Sequence, residues 1–340
     1  MKKFIFKTIG FVAPFMLSYL AFVYWGELNK GDLLRIGSLA DDTGDYLEIW
    51  SEDFSQDIYY SRLSALDKQT SFDIFTIGDS FSQQEAYGYQ NYLVRDEKVS
   101  VLHYDQSTNA IHTLNQLING DFFDKVEVKY VVLETVERNF ANEAVGVDPA
   151  SGITFDELKA NFKAFPYEEQ SPRFFSPSTI RFPLHHALYP FDDNAYVSQV
   201  YKAKVNADLF STGDKELLFY YGDLTNLPYN SKKESVEILN NELSALNQKL
   251  AAKGIKLIVL PAPDKYSVYY DYIADKASYP EPQFFNELNA LEKDYLYIDS
   301  KAILDEALKG EKDIYFYDNT HWSPIGSKLI ARQVKEAMTQ

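Results

Sequence analysis

Phe72-Asp73-Ile74-Phe75-Thr76-Ile77-Gly78-Asp79-Ser80-Phe81-Ser82 is a short apolar run that stops abruptly at Gly-Asp-Ser. Its length and its β-branched and aromatic content predict a strand buried in a sheet, and the small polar residues behind it predict a turn into a helix. A serine between the carboxyl end of a parallel strand and the amino end of a helix lies beside free backbone N–H groups, which stabilise alkoxide and oxyanion charge. Ser80 is therefore a candidate nucleophile, and it needs a base.

Outward from this stretch the chain alternates. Strands are expected over 72–77, 99–104, 129–133, 255–260 and 295–298, and helices over 83–94, 108–118, 232–253 and behind Pro324. In 232–253, Val236, Leu239, Leu243, Leu246 and Leu250 recur at helical spacing, and Gly254 stops the run. This order predicts an α/β fold, a parallel sheet covered by helices on both faces. Between about 140 and 231 the alternation fails. Phe165-Pro166-Tyr167, Arg173-Phe174-Phe175-Ser176-Pro177 and Leu188-Tyr189-Pro190-Phe191 mark a long insertion. It is read either as a wall of the active site or as structural elaboration.

The base is expected near the C-terminus, in Tyr315-Phe316-Tyr317-Asp318-Asn319-Thr320-His321-Trp322-Ser323-Pro324-Ile325-Gly326. Asp318 and His321 are three apart in a short turn, a spacing that lets the carboxylate reach the imidazole and fix its tautomer. In a doubly wound sheet the loops at the strands' carboxyl ends meet where strand order reverses. Ser80 as nucleophile, His321 as base and Asp318 as the orienting acid would converge there.

In this order, Gly78-Asp79-Ser80-Phe81-Ser82 and Asp318-Asn319-Thr320-His321-Trp322-Ser323 resemble the SGNH hydrolase superfamily, and within it the SGNH-like domains of the alginate O-acetyltransferase group. The resemblance covers roughly 70–340 and implies a three-layer α/β/α, flavodoxin-like domain. SGNH enzymes usually draw further oxyanion donors from a glycine after strand two and an asparagine after strand three. Here the loops read Asp105-Gln106-Ser107-Thr108-Asn109 and Glu134 to Asn139, and neither matches. Asn109 is a helix-start residue first and a donor second. Glu137-Arg138-Asn139 looks like the corresponding stretch of the acetyltransferase group, with Arg138 bracing the loop or facing the acyl oxygen. Pro261-Ala262-Pro263-Asp264-Lys265-Tyr266 resembles that group's Pro-x-x-Lys region, where Lys265 either binds an acceptor or pairs with Asp264. Trp322 either stacks on a sugar ring or packs the turn.

Of 340 residues, 46% are hydrophobic, enough to bury one large domain. Lys and Arg number 33 against 50 Asp and Glu, a net charge of −17 that repels polyanions, so no nucleic-acid partner is expected. Cysteine is absent, which removes disulfides, thiolate metal sites and cysteine nucleophiles. His103, His112, His185 and His186 show no metal spacing, and neither a metal nor another cofactor is expected.

Met1-Lys2-Lys3 and Lys7 precede an uncharged, mostly apolar run over 8–25 that is long enough to cross a bilayer. Lysines on its amino side predict that end inside and the remainder outside. No small-x-small cleavage site stands near Tyr24-Trp25-Gly26-Glu27, which favours an uncleaved anchor over a signal peptide. The expected plan is a membrane helix over 1–26, a juxtamembrane connector over 27–66 with an exposed turn at 41–45, and a catalytic domain over 67–340.

Three functions follow. The first is extracytoplasmic transfer of an acetyl group through an acyl-Ser80 to a cell-surface or exported polysaccharide. Acetyl-CoA is not expected outside the cytoplasm, so the resemblance implies a membrane-bound O-acyltransferase partner as donor. The second is an acetylesterase acting on the same kind of glycan, since water or a sugar hydroxyl can resolve an acyl-serine. The third is a non-catalytic accessory subunit of a polysaccharide-modifying complex.

Overall fold

A computed structural model describes residues 1–27, 31–39, 46–66, 70–106, 109–162, 177–212 and 215–339. The turn expected at 41–45, the helix start at Thr108 and the clusters at 165–167 and 173–176 lie outside the described residues.

Strands β1 (Ser61–Arg62), β2 (Ser71–Ile77), β3 (Val101–Tyr104) and β4 (Glu127–Val136) open the main sheet. After the hairpin β5 (Val200–Lys204) and β6 (Glu216–Tyr220), β7 (Lys256–Ala262) and β8 (Leu296–Tyr297) complete it. Its order is β1-β3-β2-β4-β7-β8 and every neighbouring pair is parallel. The chain leaves β2 towards β3 and then crosses back to β4, so order reverses at β2, the strand that delivers Ser80.

Both faces of the central strands are buried, and alternate side chains feed two separate cores. Ile74, Val132, Ile258 and Leu260 face one, which the helices Tyr89–Arg95 and Pro324–Ala337 cover. Phe75, Ile77, Val131, Leu133, Leu257 and Val259 face the other, under the helices Ala110–Asn119 and Lys233–Ala251. The molecule is thus the expected three-layer α/β domain.

Several boundaries differ from expectation. The helix expected over 83–94 begins only at Tyr89, because Glu85 adopts φ +53° and Gly88 is extended. Before it the chain makes two short 3₁₀ turns, Ser80–Ser82 and Glu85–Tyr87. Strand β4 is longer than the expected 129–133: Leu133 pairs with Ile77, the last residue of β2, and β4 continues to Val136. That overhang carries Glu134 past the end of β2.

The stretch 27–66, expected as a connector, is folded into the domain where it is described. Helix α2 (Asp32–Gly37) buries Leu33 and Leu34, Tyr46 and Trp50 join the same core, and β1 adds an edge strand on β3. Short amphipathic pieces without sustained periodicity give no clear sequence signal, and only the core they cover reveals them. Within the expected insertion, the hairpin β5–β6 and the helix Pro177–Leu188 lie on the face of the domain that carries α2. His185 Nδ1 bonds Gly37 O at 2.8 Å.

Helix α1 (Lys2–Glu27) is long and apolar enough to cross a membrane, and the most apolar stretch of its candidate span over Lys2–Tyr24 is not buried in the protein. Its last part touches the domain, where Phe22 meets the Phe182 ring edge-on at 4.8 Å and Val23 is buried.

Candidate active site

The Gly-Asp-Ser turn is built on the overhang of β4. Glu134 Oε2 accepts the Asp79 N–H at 3.1 Å and the Ser82 hydroxyl at 2.7 Å. Burial, reinforced by Asp79, raises the Glu134 pKa well above the ordinary carboxyl range. A Cβ on Gly78 would stand 2.3 Å from Glu134 Oε2 and 2.4 Å from Ser82 Oγ, so a glycine is the residue this close approach admits. Both Asp79 oxygens are engaged: Oδ1 accepts the Phe81 N–H at 3.0 Å, capping the turn, and Oδ2 accepts the Val136 N–H at 2.8 Å. Ser80 is left exposed at the apex, and its N–H donates to no acceptor among the described residues. That N–H is one ready oxyanion donor.

His321 reaches this serine from the other end of the chain. Its Nε2 lies 2.8 Å from Ser80 Oγ. The turn carrying it is closed by a Tyr315–Trp322 bridge and by the Phe316 N–H donating to His321 O at 3.2 Å. Ser323 then caps the last helix through the Ile325 N–H at 3.0 Å. The imidazole lies 4.6 Å from the Phe81 ring, and its side chain is 18% exposed. Burial lowers the His321 pKa, as does Arg138, while Asp32 and Asp79 work in the opposite direction.

Asp318 is not the group on the imidazole. His321 Nδ1 meets Asn319 Oδ1 at 2.6 Å and Thr320 Oγ1 at 3.3 Å, and the nearest carboxylate is Asp32 Oδ2 at 3.8 Å. Asp318 is buried against Gly31, and its Oδ2 has no hydrogen-bond partner among the described residues. Burial pushes its carboxyl up to about 6 against the pull of Lys265. The expectation failed because Asn319 folds back first: its Oδ1 also accepts the His321 N–H at 3.1 Å, an Asx turn that occupies the Nδ1 side of the ring. The backbone donor identifies that atom as oxygen, so Nδ1 carries the proton and the Nε2 lone pair faces Ser80.

The remaining expected residues divide. Arg138 Nη1 donates to Asp264 Oδ1 at 2.5 Å and lies 3.4 Å from Asp223 Oδ1, with its side chain 13% exposed. Burial works against the guanidinium charge, yet Asp264 and Asp223 outweigh it and raise its pKa. Arg138 therefore braces the loop, joining β4, the Pro-Ala-Pro-Asp-Lys strand end and the insertion. Its charge is also felt at His321. Asn109 caps the helix Ala110–Asn119 by accepting the His112 N–H at 2.9 Å.

Lys265 and Trp322 are corrected as substrate-binding residues. Lys265 is 1% exposed and donates to the carbonyls of Phe316 (2.7 Å), Tyr317 (2.6 Å) and Asn319 (3.3 Å). Burial pushes its ammonium down to about 7. Asp264, its expected partner, is committed to Arg138. Trp322 is fully buried, edge-on to Phe81 at 4.8 Å, and packs the turn. Side-chain direction in a tight turn is set by the core beneath it, which is why an aromatic beside the histidine pointed inward. Asp32 and Asn319 went unread. Asn319 had an Asx-turn signal two residues before His321, whereas Asp32 lies 288 positions from Thr320 in an apparent connector.

The chain folds as an α/β domain with a parallel sheet, a strand-end serine after β2 and a histidine ahead of the last helix. Residues 212–340 match the family model described as SGNH hydrolase-like domain, acetyltransferase AlgX. The matched segment includes Lys265 and the His321 turn and stops short of Ser80 in the chain. No curated protein and no solved structure matches the chain significantly.

Proposed function

We propose that the protein is an extracytoplasmic O-acetyltransferase that carries an acetyl group on Ser80 and passes it to a hydroxyl of a cell-surface or exported polysaccharide. The observation that carries this reading is the 2.8 Å approach of His321 Nε2 to an exposed Ser80 Oγ, on a domain whose C-terminal part matches an acetyltransferase family model. Ser80 Oγ attacks the acyl carbonyl as its proton passes to Nε2, and the Ser80 N–H steadies the oxyanion. Collapse of the tetrahedral species expels the donor's leaving group, which takes the proton from His321. The acceptor hydroxyl then gives its proton to Nε2 and attacks acetyl-Ser80, forming the new ester and returning Ser80 to its hydroxyl form. Helix α1 supports a single-pass anchor, and the lysines at its amino end favour a cytoplasmic N-terminus. The acyl donor in this reading is a membrane-bound O-acyltransferase partner.

The purified full chain, given a chromogenic acetyl ester with and without oligosaccharides, tests the reaction. Acetylated sugar is the expected product; acetate release that no acceptor diverts would instead mark an esterase. A pH profile tests the base. Transfer requires neutral His321, and its pKa lies below the ordinary 6.5, so kcat/KM should rise with pH along a limb centred below 6.5 and be flat at neutrality. A limb centred above 6.5 would contradict that assignment.

A further inference from the structure

The imidazole of His321 is backed by a carboxylate from the opposite end of the chain. Asp32 Oδ1 accepts the Thr320 N–H at 2.9 Å, and Oδ2 accepts the Thr320 hydroxyl at 2.7 Å. The same Oδ2 stands 3.8 Å from His321 Nδ1. Two hydrogen bonds to one residue leave the carboxylate little freedom. Asn319 Oδ1 occupies the direct contact, so Asp32 acts on the ring as a fixed charge behind a neutral acceptor. The remaining charged groups acting on the imidazole are Arg138, behind β4, and Asp79, behind β2.

The segment that delivers Asp32 is itself docked on the residue expected to do its work. Leu33 N–H donates to Asp318 O at 3.0 Å, and a Cβ on Gly31 would come within 2.3 Å of the Asp318 carboxylate. Only a glycine lets α2 approach the turn this closely.

We propose that Asp32 is the positioning carboxylate of His321, acting through Thr320 and alongside Asn319, and that Asp318 serves as the seat on which the Asp32 segment docks. The proposal rests on Ser80 and His321 forming the reactive pair. It has a consequence for the architecture: the site is complete only with the few residues that follow the membrane helix, so the anchor's exit and the reacting serine belong to one unit. A negative charge fixed near Nδ1 favours the imidazolium that forms when Ser80 gives up its proton, and it strengthens His321 as a base. Asp32→Asn keeps the size and can keep one bond to Thr320 while removing the charge.

The test uses the full chain in detergent micelles with ¹³C-labelled histidine, the His321 signal being assigned by its loss in His321→Gln. Asp32→Asn is expected to move the His321 titration midpoint down by about half a pH unit or more, since the group that favours the imidazolium is gone. It should also slow phosphonylation of Ser80 by a fluorophosphonate roughly 10- to 100-fold at unchanged melting temperature, and Asp32→Glu should recover part of that rate. Asp318→Asn should leave the midpoint in place, since Asp318 seats Leu33 through its backbone carbonyl, which the substitution keeps. An Asp32→Asn protein with wild-type midpoint and rate, or a larger downward shift in Asp318→Asn, overturns the proposal. If wild-type Ser80 takes no phosphonyl group, the serine-nucleophile reading fails, while the midpoint comparison still decides the role of Asp32.

Discussion

Ser80→Ala should lower acetyl transfer by three or more orders of magnitude while leaving the thermal unfolding of the domain essentially unchanged. The hydroxyl is exposed at the apex of its turn, and its one side-chain hydrogen bond among the described residues is the 2.8 Å approach to His321 Nε2. Nothing in the turn leans on it: Asp79 caps the turn and Glu134 holds it from below. Losing the nucleophile of a covalent mechanism removes the route itself, and such losses reach about 10⁶-fold in serine hydrolases. The direct reading is intact-protein mass spectrometry after exposure to an activated acetyl ester. Wild type should gain one acetyl group, mapped to Ser80 by peptide analysis, and Ser80→Ala should gain none. An adduct that persists in Ser80→Ala, or transfer that survives the substitution, would leave an accessory role as the better account.

Lys265→Met should destabilise the domain by about 3 kcal/mol and reduce kcat at least tenfold. The ammonium is buried beneath the histidine turn and satisfies three carbonyl oxygens, those of Phe316, Tyr317 and Asn319. Methionine fills the stem of the cavity but donates nothing, and each buried acceptor left without a partner costs about 1–3 kcal/mol. The loss falls on the turn that sets Asn319 against His321 Nδ1, so the base loses its orientation as the loop loosens. Thermal unfolding and steady-state kinetics on the same sample separate two roles for this lysine. Normal unfolding with a raised KM for the acceptor would restore Lys265 to the substrate-binding surface, whereas a lower melting temperature with a reduced kcat supports the buried brace.

How much was legible follows from the range of each signal. The strand over 72–77, the helix over 232–253 and the apolar helix at the N-terminus declare themselves by periodicity and length within a dozen or two residues, and the structure has β2, Lys233–Ala251 and α1 in those places. That Ser80 and His321 come together was legible because each sits at a boundary between elements, where a parallel sheet gathers its loops. The glycine before Asp79 was legible as part of a turn, but not as the gap that admits Glu134.

The amino-acid sequence by itself determined the layered α/β plan, the serine turn and the histidine turn, because local propensity and hydrophobic period are properties of neighbouring residues. Only the tertiary structure decided what stands behind the imidazole, why Lys265 and Trp322 point inward, and that α2 lies against the histidine turn. Those outcomes depend on contacts between residues hundreds of positions apart. Asp318 and Asp32 are chemically alike, and packing alone selects which carboxylate reaches the ring.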